Sequence, residues 1–238
     1  MRELSPAQRH KARVLAELAA ASTEPGGPTS GSQYELQLYQ LAEDRRRLKA
    51  IQSIKSKVAL KAQLLPNYYA WVDGVLAAGK GGQDDVLTTV LVWSIDAGDY
   101  QRALQMARYA VTHKMTLPDQ YSRDIPTMLV DEFSEAYLHG KLAEDPALAV
   151  KVLAQIGDLT EGSDVPDQAR AKLYKALGYA LLVLANGDDD KRDLVGQPLI
   201  HAQSAHSHLQ RALELFQGVG VKKDIEILER RLKKAEQG

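Results

Sequence analysis

Leucine and alanine dominate the apolar residues of this chain and restrict its fold class. Its 238 residues include 33 Leu and 31 Ala, against 16 Val and 8 Ile. Leu and Ala are strong helix formers, whereas β-branched residues favour strands. We therefore predict an all-α protein. This length is enough for one or two domains with sizeable hydrophobic cores.

Cysteine and apolar-run content exclude several classes of protein. The chain has no Cys, which excludes disulfides, thiolate metal ligands and cysteine nucleophiles. No apolar run approaches the roughly 20 residues of a membrane helix, and the N-terminus lacks the apolar core of a signal peptide. We therefore expect a soluble protein without a membrane partner. The 30 basic and 31 acidic residues nearly balance, so only local charge patterns indicate a partner.

A short basic helix is predicted within residues 1–22. Ser5, Pro6 and Gln8 fit a capping box with proline at the first helical position. Three candidate DNA-binding cations lie in its first turns: Arg9, Lys11 and Arg13. Residues 23–32, TEPGGPTSGS, contain two Pro, three Gly and no apolar anchor, which predicts a flexible linker. A basic helix on such a linker is typical of arms that contact the DNA backbone.

A long helix with a coiled-coil-like seam is predicted over residues 33–65, because neither Gly nor Pro occurs there. The apolar residues repeat at spacings of three, four or seven: Tyr34, Leu38, Leu41, Leu48, Ile51, Val58 and Leu65. Seven cations without an acid follow within 17 residues: Arg45, Arg46, Arg47, Lys49, Lys55, Lys57 and Lys61. Such a block could neutralise several phosphates and drive sequence-independent DNA binding. A solvated helix surface is the alternative interpretation.

The rest of the chain is predicted to form two helical regions. Residues 66–160 have short helical patterns separated by Gly and Pro, which predicts a central helical bundle with antiparallel neighbours. Residues 161–238 predict a C-terminal region of helical hairpins. Fragments such as residues 177–180 and 208–213 are similar to tetratricopeptide helices, but the 34-residue period of that repeat is missing. Hairpins of this kind are typical of partner docking.

No motif in the sequence predicts a catalytic residue, a metal or a cofactor. Residues 74–81, GVLAAGKG, nearly match a phosphate-binding loop, but Gly81 replaces the hydroxyl residue and no strand precedes them. Three acidic pairs are candidates for nuclease carboxylates: Asp84 with Asp85, Asp96 with Asp99, and Asp131 with Glu132. The first pair lies where a helix begins, so capping explains it.

Residues 83–118 carry a resemblance to a known family. Their sequence, QDDVLTTVLVWSIDAGDYQRALQMARYAVTHKMTLP, resembles the small terminase subunits of Peduovirus-like temperate tailed phages, the GpM-type family. Two earlier segments are similar to the same family, SPAQRHKARVLAE and RRRLKAIQSIKSKVALKAQLLPNYYAWVDGVLA. So are ARAKLYKALGYALL and LQRALELFQGVGVKKDIEILERRL toward the C-terminus. The likeness covers nearly the whole chain.

The resemblance implies a role in packaging viral DNA. Proteins of this kind recognise the packaging site of the double-stranded viral genome and recruit the large terminase subunit, which holds the motor ATPase. They generally form homo-oligomeric rings, and they act in the host cytoplasm. The family is also described as an endonuclease subunit that directs cohesive-end cutting. Two alternatives therefore stay open: a metal-dependent DNA endonuclease in its own right, and a DNA-independent helical interaction scaffold.

Overall fold

Helices form the regular structure of this protein wherever the computed structural model describes it, in residues 5–119, 121–187, 189–190 and 192–237. These residues contain α-helices and no β-strand, which confirms the predicted all-α class. The chain divides into two compact units, unit 1 ending at Ile125 and unit 2 beginning at Pro126. The boundary expected from the sequence lies later, between residues 160 and 161.

The helices of unit 1 come first along the chain. They are α1 (Pro6–Ala21), α2 (Ser32–Lys49), α3 (Ile54–Leu64), α4 (Pro66–Ala78), α5 (Asp85–Ala97) and α6 (Tyr100–Thr112). The others are α7 (Ile125–Leu138), which begins at the boundary, α8 (Pro146–Thr160), α9 (Asp167–Asn186), α10 (Gln197–Leu215) and α11 (Lys222–Glu236). Within the described residues, none of them is both long enough and apolar enough to cross a membrane.

Helix α1 is a docked element of unit 1. Its capping box is confirmed: Ser5 Oγ accepts the Gln8 N–H and Gln8 Oε1 accepts the Ser5 N–H, at 3.3 and 2.8 Å. The helix packs along α4, where a Cβ added to Gly74 would lie 2.8 Å from the Glu17 backbone nitrogen and closer still to the Arg13 carbonyl oxygen. The predicted mobile arm is therefore wrong, because α1 contacts α4 through its backbone. Residues 1–4 of that prediction lie outside the described part of the chain.

The glycines of the near-match to a phosphate-binding loop have structural roles. Gly74 lies inside α4 at the contact with α1, and Gly79 ends α4 in the left-handed conformation, with φ of 64°. A phosphate-binding loop places its glycines in one turn between a strand and a helix. Here they lie within and after a helix, so the resemblance to that motif is a coincidence of spacing.

The expected flexible linker is instead fixed to unit 1 by backbone hydrogen bonds. The Gly26 N–H donates to the Gly81 carbonyl at 3.0 Å, and Gln83 exchanges bonds with Gly27 and Thr29 at 2.8 and 2.9 Å. Thr29 is buried by this pairing. The flexible linker was predicted because residues 23–32 lack an apolar anchor. Main-chain amides and carbonyls hold this segment instead, and their pairing cannot be read from the side chains.

The predicted single helix over residues 33–65 is divided into α2 and α3. Ser53 begins α3, since its Oγ accepts the Ser56 N–H at 3.3 Å. A serine side chain that caps a helix competes with continuation of the preceding one, so the break needs no Gly or Pro. Four residues of the predicted seam, Tyr34, Leu41, Leu48 and Leu65, are buried in this single chain.

Helix α9 organises unit 2 through contacts with α7, α10 and α11. A Cβ on Gly178 would lie 2.6 Å from Leu209 Cδ2, so the glycine allows α9 and α10 to pack closely. The Lys172 ammonium bonds to Asp131 and Glu135 of α7 at 3.1 and 2.6 Å. Between α9 and α11, side chains such as Leu181, Leu209, Val221 and Leu228 form a hydrophobic core.

Substitution of Gly74 by Ala tests the docking of α1. The added methyl meets backbone atoms of α1, so we expect a loss of about 1–3 kcal/mol in the free energy of unfolding, as in other overpacked sites. Gly157→Ala in α8 is the matched control, because its Cβ would meet Leu173 at an ordinary 3.7 Å. That change should add up to about 1 kcal/mol through helix propensity. Urea unfolding measures the stability of both variants, and hydrogen exchange of the α1 amides reports whether α1 detaches. Equal changes of stability in the two variants would contradict the docking of α1 on α4.

Candidate nucleic-acid interface

The three predicted DNA-binding cations of α1 are exposed but do not form one surface. Arg9 and Arg13 share the helix face that continues into Ala16 and Ala20, which are buried. Lys11 lies on the opposite face. None of the three cations has a carboxylate partner among the described residues. They remain available to anions as two separate patches.

Arg46 and Arg47 at the end of α2 are both paired with carboxylates. Arg46 bonds to Glu43 at 2.9 Å on the surface, where its side chain is 73% exposed. Arg47 bonds to the buried Asp44 at 2.8 Å, and the Tyr68 hydroxyl donates to the same carboxylate at 2.8 Å. Burial and the Asp44 carboxylate raise the pKa of Tyr68. Arg47 therefore neutralises an interior charge and has a structural role.

Arg45 and Lys61 are also directed toward the interior of unit 1. Arg45 lies between the seam residues Leu41 and Leu48, at spacings of four and three. Its Nε and Nη2 atoms contact neither solvent nor a hydrogen-bond partner in the described residues. Lys61 bonds to Asp96 at 2.5 Å and joins α3 to α5. Two further members of the predicted basic block thus contribute to packing.

The connection between α2 and α3 presents the remaining cations. We call residues 49–57 the α2–α3 corner. Lys49 and Lys55 are exposed and Lys57 is half-buried, and none has a carboxylate partner among the described residues. Gln52 is exposed, and the side chain of Ile54 is 77% exposed. The α3 N-terminus adds its free N–H groups and carries no acid in its first turn, so the corner is electropositive.

The sequence analysis identified the lysines of this corner but not the break between α2 and α3 that forms it. A continuous helix would have spread the seven cations around one cylinder. The signal for the break was Ser53, a residue favoured at helix starts, which precedes the apolar Ile54. That signal is weak alone, because neither Gly nor Pro accompanies it.

The Asp84 carboxylate is fully buried and caps α5. It accepts the Leu87 N–H and the Trp71 indole N–H, each at 2.9 Å. Burial raises the pKa of Asp84 to about 6. The Asp85 N–H donates to the Tyr34 hydroxyl at 3.0 Å. The capping interpretation of this acidic pair is confirmed.

The other acidic pairs take part in contacts between helices. Asp99 caps α6 by accepting the Arg102 N–H at 3.3 Å, and it also accepts the Tyr69 hydroxyl at 2.9 Å. Asp96 and Asp131 are each bonded to a lysine of another helix. In the part of the chain that the structure describes, no three Asp, Glu or His side chains are grouped so as to hold a metal ion.

Comparison with known proteins identifies the family. A model of the phage small terminase subunit family matches residues 38–168, which is more than half of the chain. The chain belongs to the phage small terminase subunit family. Its matched region includes the α2–α3 corner and α5, but not α1. The resemblance seen in the sequence is confirmed.

Two relatives of this small terminase subunit show how far the likeness extends. It is 42% identical over 229 residues to the "Terminase, endonuclease subunit" of Escherichia phage P2, which covers 96% of this chain and 86% of that relative. It is 26% identical over 105 residues to the "Probable terminase, endonuclease subunit" of Haemophilus phage HP1 (strain HP1c1). That match covers 44% of this chain and 37% of the relative. No solved structure matches the chain.

The buried Asp84 predicts a pH dependence of stability. Its pKa in the folded state, about 6, exceeds the ordinary 3.8, so the folded state binds more protons between these values. Stability therefore rises as the pH falls, by about 1 kcal/mol between pH 7 and pH 5 from this group. Asp84→Asn should remove that rise in urea unfolding. The control is Asp145→Asn, at the exposed cap of α8. A rise that persists in Asp84→Asn would contradict the assignment.

Proposed function

We propose that this small terminase subunit binds the packaging site of viral DNA in the host cytoplasm, assembles as a ring and recruits the large terminase subunit. Membership of the family and the name of the phage P2 relative support a packaging role. The observation that carries the DNA-binding part is the α2–α3 corner, with its exposed lysines and the N-terminus of α3.

The corner offers two kinds of contact with a duplex. Lys49, Lys55 and Lys57, together with the α3 N–H groups, suit phosphate oxygens, which set affinity and its dependence on salt. Gln52 carries an amide of the type that pairs with adenine in the major groove. Helix-turn-helix proteins join their two helices by three or four residues and read bases from the start of the second helix. Residues 50–53 supply a connection of this length.

A ring would multiply this interaction. Each copy brings the same corner, so a closed ring would hold several lysine groups at fixed spacing around its axis. Linked sites raise the effective affinity when their geometry allows simultaneous contact. The arrangement favours tight binding to a long duplex even though one corner has only three lysines.

For the large terminase subunit we propose a docking region within residues 161–238. Val183 of α9 and Ile200 of α10 are 44% and 51% exposed. The Lys175 ammonium in the first half of α9 donates to the Val219 carbonyl just after α10 at 2.8 Å, and Gly178 faces Ala205 and Leu209, so α9 and α10 are antiparallel. This apolar pair on a helical hairpin suits a protein partner, since aliphatic side chains gain free energy when water is excluded.

Removal of the three corner lysines tests DNA binding. Lys49→Ala, Lys55→Ala and Lys57→Ala together should weaken binding to packaging-site DNA at least tenfold and lower the slope of log K against log salt by two to three, since each phosphate contact contributes about 0.9. The matched control removes the same charge from unit 2, at the exposed Lys141, Lys151 and Lys222. Fluorescence anisotropy over a salt series measures both variants. Equal losses in the two variants would reject the corner.

The endonuclease hypothesis has one specific support, the word "endonuclease" in the names of the two relatives. Incubation of purified protein with packaging-site DNA and Mg²⁺ or Mn²⁺ separates the alternatives. We expect retention of the DNA without cleavage, and cleavage once the large subunit is added. Cleavage by this chain alone that Asp85→Asn abolishes would establish the endonuclease instead. Absence of DNA retention would favour the scaffold.

A further inference from the structure

An apolar groove with a basic rim lies at the C-terminal end of α9. It has a volume of about 610 Å³ and lies between α11 and the chain segment of Asp190 and residues 192–195. Leu194, Val195, Ile227 and Ala235 supply apolar surface, and Val195 and Ile227 are 69% and 50% exposed. Exposed aliphatic side chains in a groove mark a site where another surface packs.

Cations outnumber carboxylates in the lining of this groove, by three to two. Arg231 is held by neutral oxygens, Asn186 Oδ1 at 2.7 Å and the Arg192 carbonyl at 3.2 Å, so its charge is not neutralised. Of the two carboxylates in the lining, Asp190 and Asp193, the second is bonded to Lys234 at 3.1 Å. Two further cations of α11, Lys223 and Arg230, lie on the exposed stripe that also carries Ile227 and Lys234, and the exposed Glu226 lies next to both of them. We call this groove and stripe the basic end.

The opposite end of α9 carries unpaired acids. Four exposed carboxylates, from the last turn of α8 through the connection to the first residue of α9, have no cation partner among the described residues: Asp158, Glu161, Asp164 and Asp167. Arg170 stiffens this connection by donating to the Thr160 and Ser163 carbonyls at 2.8 and 3.2 Å. A rigid acidic loop loses little conformational entropy when it docks.

An aromatic side chain accompanies these acids. Phe216 follows the end of α10 and is 37% exposed. Because α10 runs antiparallel to α9, its end returns to the start of α9. The four carboxylates and Phe216 together are the acidic end. Its combination of an apolar side chain and acids complements the apolar groove and cations of the basic end.

The two ends are too far apart to meet within one chain. Helix α9 has 20 residues and is about 30 Å long, and the ends lie beyond its opposite termini. Complementary surfaces at opposite ends of one molecule form a heterologous, head-to-tail contact, which closes into a ring when the rotation between copies permits.

We propose that copies of this protein associate head to tail through unit 2. The acidic end of one copy docks on the basic end of the next, with Phe216 against Val195 and Ile227. Carboxylates 158–167 then face Arg230, Arg231 and Lys234. The proposal rests on the homo-oligomer of the proposed function and specifies the contact that builds it.

A charge swap in the full-length protein tests the contact. One variant reverses the acidic end, Glu161→Lys with Asp164→Lys, and the other reverses the basic end, Arg230→Glu with Lys234→Glu. Each alone should dissociate at least tenfold more readily in sedimentation velocity. An equimolar mixture should regain large assemblies, because each variant now carries ends complementary to the other. The four changes combined in one chain should also restore assembly.

Controls separate the failure of this contact from failure of the proposed assembly. Glu144→Lys with Lys151→Glu changes exposed charges elsewhere in unit 2 and should leave the sedimentation coefficient unchanged. An oligomer that survives both end reversals would overturn the head-to-tail contact and leave the ring standing. A wild-type monomer at all concentrations would reject both. Loss of large-subunit binding with an unchanged oligomer would reassign the groove and overturn the contact. Circular dichroism checks that each variant is folded.

Discussion

The arrangement of unit 1 depends on residues 81–85, a short segment around the buried Asp84. Its carboxylate caps α5 and accepts the Trp71 indole, which ties α4 to α5. The backbone on either side binds the segment before α2, through Gly81 and Gln83, and the Tyr34 hydroxyl in α2. An ionisable group without solvent contact is costly, so the hydrogen bonds that compensate it fix the relative positions of these helices.

The packing around residues 81–85 decides which cations of unit 1 are exposed and so available for the proposed contact with DNA. Residues 23–32 are bonded to residues 81–83 and α1 is docked on α4, whereas helix periodicity places the three cations of α1 on two faces. Arg47 and Lys61 are used by Asp44 and Asp96 inside the same packing. The lysines of the α2–α3 corner lie on either side of the break at Ser53 and have no carboxylate partner among the described residues.

Much of the helical framework was predictable, since it follows from local chemistry. The capping box at Ser5 and the cap at Asp84 were both visible in the residues, and the structure confirms each. The break between α2 and α3 was not, because a serine cap within a continuous amphipathic pattern competes with helix propensity by only about 1 kcal/mol. Because the difference in free energy is so small, tertiary contacts decide whether the helix continues or breaks at Ser53.

The all-α class, the starts of α1 and α5, the family and the presence of a basic block follow from the order of the residues alone. Each of these depends on composition, local hydrogen bonding or similarity along the chain. Only the packing of the helices shows which cations of that block form interior ion pairs and which lie on the surface. It also shows that α1 is docked on α4. Partners such as Asp44 for Tyr68 or Asp96 for Lys61 are 24 and 35 residues apart. Contacts over that separation depend on how the helices pack, which no local pattern encodes.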